Sequence, residues 1–153
     1  MYQDLFLPVV FELNLGSDQA WFTSEWKLLI HEILQRYINL LIEKENCMIG
    51  HVKALAMISE HDYIKFSCSN DAGQIDTQHQ GKSKKVSSVN VIINSLVANI
   101  CETDSYQMLK LVCQTFEKSE TIDIRVEIKK NLSQRHEHHH DGSDCPICNG
   151  HHR

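Results

Sequence analysis

A chain of 153 residues that is 42% hydrophobic and 23% charged, with only two prolines, has the apolar material for a single packed core and is too hydrophobic to stay unfolded throughout. Its formal net charge of −5 argues against a general nucleic-acid binder, whose footprint is a basic face, and Lys82, Lys84 and Lys85 read as solvated lysines in a polar loop. Met1–Phe11 lacks the basic start and small-residue cleavage site of a secretory leader.

The run LFLPVVFELNL carries Pro8 near its start, where a strand tolerates it, and predicts a strand over residues 9–15. Gly16, Ser17 and Asp18 then punctuate the chain, and Ser17 or Asp18 is the expected cap of a long helix. Trp26, Ile30, Ile33, Tyr37 and Leu41 recur at spacings of three and four, flanked by Leu29, Leu34, Ile38 and Leu40, and the helix is expected to end near Asn46. Glu25, Lys27, His31, Glu32 and Arg36 interrupt this stretch, so it cannot span a bilayer. With neither leader nor span, the expected location is the cytoplasm, where thiols stay reduced.

Val52, Ala54, Ala56 and Ile58 alternate with Lys53, Leu55 and Met57, the pattern of a strand partly buried on both faces. Glu60, His61 and Asp62 suit a tight turn, and Ile64, Phe66 and Cys68 line one face of the returning strand. Residues 70–85 are polar, contain Gly73 and Gly81, and read as a long exposed loop, after which Ser88–Val97 resumes β-branched character. Thr103 or Asp104 is the expected cap of a second helix with Met108, Leu109, Val112 and Phe116 inward. Finally Ile122, Ile124, Val126 and Ile128 alternate with Asp123, Arg125, Glu127 and Lys129, apolar side in. Strand, helix, two or three strands, helix, strand is the element order of an α+β fold: a ferredoxin-like antiparallel sheet with two helices on one face and an added strand. The expected domain covers residues 1–131, and a disordered tail, 132–153, follows it.

That tail ends HEHHHDGSDCPICNGHHR. Two cysteines with two residues between them place both thiolates on one ion when the backbone turns tightly there; Pro146 fixes φ and Gly150 lets the turn close. DCPICNG resembles the knuckle of zinc ribbons and rubredoxins over about six residues, with Asn149 where glycine is usual. That resemblance implies backbone amides aimed at the sulfurs of Cys145 and Cys148. A closed tetrahedral site needs four ligands, and there is no second CxxC. His136, His138, His139 and His140 before the knuckle, and His151 and His152 after it, supply surplus imidazoles. Thiolate with neutral imidazole suits zinc first, with nickel, cobalt and copper(I) also served. Surplus ligands on a tether fit capture or delivery of metal better than a fixed structural site. The expected function is therefore a transition-metal-binding accessory protein, a metallochaperone or store acting on a protein client.

A scaffold subunit is the second reading, a homodimer whose two knuckles close one zinc site between chains. Neither reading calls for nucleic acid, a membrane or catalysis, and an enzyme would instead show a deep polar cleft. Redox chemistry at the CxxC needs a helix N-terminus to activate the first thiol, and only NGHHR follows. Cys47, Cys68, Cys101 and Cys113 read as buried small hydrophobes. DTQHQGKS nearly spells a phosphate loop, but Asp76 stands where glycine must bend the chain, and a strand pattern follows. HEILQ places Gln35 where a zinc-protease helix needs its second histidine, so His31 and Glu32 read as solvated helix polarity.

Overall fold

The computed structural model describes residues 6–69 and 73–129, and the expected disordered tail lies outside them. In chain order the elements are β1 (Phe6–Phe22), α1 (Thr23–Glu43), β2 (Met48–Met57), β3 (Tyr63–Cys68), β4 (Asp76–Gln80), β5 (Lys85–Ala98), α2 (Glu102–Glu120) and β6 (Ile122–Lys129). The strands form one sheet in the order β4-β3-β2-β5-β1-β6, and every neighbouring pair is antiparallel. Without β3 and β4, the order β2-β5-β1-β6 is that of the ferredoxin-like sandwich. The fold class is thus α+β, with two strands inserted where one was expected.

The extra strand is β4. Residues 76–80, DTQHQ, sit within the stretch that reads as loop, yet they pair with β3 from Ser67–Asp76 to Tyr63–Gln80. β4 is an outer strand whose residues are mostly exposed, so no apolar alternation marks it.

Both helices cover one face of the sheet. Against them lie Phe11, Leu13 and Leu15 of β1, Val52, Ala54 and Ala56 of β2, Ile64 and Phe66 of β3, and Val89, Val91 and Ile93 of β5. The stripe on α1 is buried as the periodicity requires: Trp26, Ile30, Ile33, Tyr37 and Leu41 are each fully buried. Burial of side chains of this size contributes about 1.5–3 kcal/mol apiece. Leu109, Val112 and Phe116 do the same for α2, and Met108 packs at the margin. On β6 only Ile122 and Ile124 are buried; Val126 and Ile128 are half-buried.

The first helix begins five residues later than Asp18, because β1 continues through Phe22. After an irregularity between Gly16 and Trp21, Trp21 and Phe22 pair with Val86 and Lys85 of β5. The buried Thr23 then locks the junction: its amide donates to the Lys84 carbonyl at 2.8 Å, and the Lys84 amide donates to Thr23 Oγ1 at 3.1 Å. Glu25 Oε1 accepts the Phe22 amide at 2.9 Å, so the helix start is held from its first turn rather than by Ser17 or Asp18. The helix stops at Glu43, and Asn46 (φ 65°) turns the chain toward β2. The second helix is capped at Cys101, whose Sγ accepts the Asp104 amide at 3.4 Å, instead of at Thr103 or Asp104.

Candidate functional site

All eight side chains expected to hold metal, His136, His138, His139, His140, Cys145, Cys148, His151 and His152, lie outside the described residues. What the structure places is the end of β6, the last described strand before them in the chain. β6 ends at Lys129, opposite Val10 of β1; Val10 faces Asn94 of β5, and Asn94 faces Lys53 of β2. The Lys129 ammonium lies 3.5 Å from Glu12 Oε1, and Glu12 in turn accepts from Asn90 Nδ2 at 2.6 Å. The last residue of β6 is therefore held by an ion pair, level with the Asn94–Lys53 row.

Among the described residues, no three His, Cys, Asp or Glu side chains gather closely enough to hold a metal ion. The cysteines of the domain divide between two environments. Cys68 and Cys113 are buried, as small hydrophobes should be, but Cys47 is only half-buried and Cys101 is exposed in its capping role. Burial pushes the Cys113 thiol up to about 12, with nearby Glu117 adding to the effect, so it stays protonated and inert at neutral pH.

The two look-alike motifs have structural employment. In HEILQ, Gln35 Nε2 donates to the Gly73 carbonyl at 2.9 Å and to Asn39 Oδ1 at 3.1 Å, pinning the segment that leads into β4. In DTQHQGKS, the first five residues are β4, Gly81 (φ 108°) makes the turn, and strand β5 follows where a phosphate loop requires a helix. The lysines beyond Gly81 are not simply solvated. Lys84 pairs with Asp62, the Lys82 amide donates to Asp62 Oδ1 at 2.9 Å, and the Lys85 ammonium sits 4.8 Å from the Phe22 ring centre.

Sequence reasoning missed a shallow trough of about 570 Å³ on the face of the sheet that carries no helix. Leu55 and Ile92 contribute its apolar surface, and Lys53, Lys65, Ser67, Asp76, Gln78 and Asn94 its polar one. Four strands contribute, so only the register brings these residues together; the half-buried Leu55 between Lys53 and Met57 is its one trace in the sequence. The trough is open to solvent, and no histidine or cysteine is among its lining residues.

Comparison with protein-family models, with curated proteins and with solved structures returns no match to this chain. No helix among the described residues is long and apolar enough to cross a membrane.

Proposed function

We propose that the protein is a transition-metal-binding accessory protein of the cytoplasm, whose C-terminal segment captures and hands over a zinc or nickel ion. The observation that carries this reading is two thiols and six imidazoles within residues 136–152, joined to the sheet by a short stretch after β6. Cys145 and Cys148 anchor the ion as thiolates, and His140, His151 and His152 complete its shell, with His136, His138 and His139 as exchange ligands. Adjacent spare donors lower the barrier to ligand exchange, which suits delivery to a protein client. The domain would supply the docking surface, and the trough around Leu55 and Ile92 is a candidate for it.

The test is metal analysis and titration calorimetry on the intact, reduced chain, on a chain lacking residues 136–153, and on Cys145→Ser/Cys148→Ser. The intact chain should bind zinc or nickel. The deletion should abolish binding, and the double serine variant should weaken it by about tenfold or more. Ligation needs neutral imidazole and thiolate, so affinity should fall as pH drops through about 6.5. An intact chain that ignores all added metals would overturn the proposal. One ion per two chains with only sulfur ligands would move it to the scaffold reading.

A further inference from the structure

Among the described residues β6 is the last strand of the sheet and pairs with β1 alone, in unbroken register from Ser17–Ile122 to Val10–Lys129. An outer strand presents a row of amides that invites a second strand, and such edges are commonly guarded by proline, a bulge or clustered lysines. β6, IDIRVEIK, has none of these. Its guards come from α2: the Glu117 carboxylate accepts the Ile124 amide at 2.9 Å, and the Tyr106 hydroxyl reaches the Val126 carbonyl at 3.5 Å. Both contacts fall on even-numbered residues, so those residues turn their amides away from β1. The apolar cover also thins along the strand, since Val126 and Ile128 are half-buried where Ile122 and Ile124 are buried.

The charges of β6 alternate in sign: Asp123, Arg125, Glu127, Lys129. A second copy laid antiparallel about a two-fold axis through Val126 brings Asp123 opposite Lys129, Arg125 opposite Glu127, and Ile124 opposite Ile128. Val126 then faces its own copy. Moving the axis to residue 125 sets Arg125 against Arg125 and Asp123 against Glu127. Moving it to residue 127 sets Glu127 against Glu127 and Arg125 against Lys129. Like charges directly opposite are destabilising, which disfavours both of these axes; axes at residues 124 and 128 keep unlike charges opposite but match only two of the four charged residues, whereas the axis at Val126 matches all four. That register also makes the outward-turned amides of Val126 a hydrogen-bonded pair.

From this complementarity we infer that β6 is a homodimerisation edge, through which two copies merge their sheets in the register centred on Val126. On association the Ile124 amide exchanges the Glu117 carboxylate for the Ile128 carbonyl of the second copy, and Val126 and Ile128 gain apolar cover. The interface is isologous, as a two-fold requires. It needs neither the tail nor a metal.

Sedimentation equilibrium of the full chain, reduced and with EDTA present, tests it without tail-held metal. The wild-type chain should form a dimer. Arg125→Glu, which sets two glutamates against Glu127 residues per dimer, should raise the dissociation constant about tenfold or more. Arg125→Glu/Glu127→Arg restores opposite charges in the same register and should recover the dimer, while circular dichroism verifies that each variant is folded. Glu117→Ala removes the competing acceptor and should tighten association. Wild-type and Glu117→Ala chains that both stay monomeric at millimolar concentration would overturn the proposal. So would a dimer indifferent to Arg125→Glu, or a folded charge-swapped variant that stays monomeric. Such a failure would leave the metal-binding reading untouched.

Discussion

The Asp62 carboxylate accepts from Ser59 Oγ and from the Lys82 amide at 2.9 Å, and it pairs with the Lys84 ammonium. It thereby joins the β2–β3 turn to the turn between β4 and β5. Gly81 makes room for it: a Cβ there would lie 1.9 Å from Asp62 Oδ1, and φ of 108° disfavours any side chain. The Lys84 bond first, then those from Ser59 and the Lys82 amide, hold the Asp62 carboxyl well below the usual carboxylate range. A depressed folded-state value means stability that is fully present above the unfolded value of about 3.9 and is lost as pH falls below it. Asp62→Asn should therefore lower the melting temperature at pH 7 and flatten its decline between about pH 4 and pH 2 relative to wild type. Identical acid profiles for the two proteins would show that the network contributes nothing. Residues 60–62 were legible as a turn; Asp62 as its hub was not, because its partners Lys82 and Lys84 lie about twenty residues away in a stretch that looks like loop.

At the scale of elements, the joint between α2 and β6 stores strain. Thr121 adopts φ 57° and ψ 51°, a left-handed conformation that a β-branched residue takes at a cost and that glycine takes freely. Thr121→Gly should raise stability by about 0.5–1 kcal/mol, read as a higher urea midpoint with an unchanged slope. A lower midpoint would mean that the threonine side chain makes a contact worth more than the strain. Elements with a strong apolar rhythm could be read from sequence: the stripe Trp26-Ile30-Ile33-Tyr37-Leu41 and the alternation of β2 and β3 match buried positions. Elements without one could not. β4 is polar, exposed and defined by its bonds to β3, and the last turn of β1 depends on Thr23 meeting Lys84, 61 residues away. Caps were missed for a different reason: a thiol is not a usual cap, yet Cys101 accepts the Asp104 amide, and β1 runs past Asp18 so that Glu25 holds the start of the first helix instead.

Across the whole molecule, folding and metal binding should be separable. The core is closed by β1–β6 and the two helices, with no described cluster of metal ligands inside it. A ligand that binds folded and unfolded chains equally leaves the folding equilibrium unchanged. Saturating zinc should therefore shift the melting temperature of the intact chain by less than about 2 °C. A large rise would mean that a domain residue joins the metal shell. The candidate ligands were legible because soft donors crowded into a short segment need no fold to be seen, whereas the trough and the β6 edge exist only once strands are set side by side. One feature of the domain also decides what optical methods will see. Its only two tryptophans, Trp21 and Trp26, stack with ring centres 4.7 Å apart where β1 gives way to α1, and the Trp26 indole donates to the Val86 carbonyl at 2.9 Å. Intrinsic emission is thus a reporter of one corner, sensitive to unzipping of β1 from the start of β5 and blind to events where Gly73 meets Gln35 farther along α1.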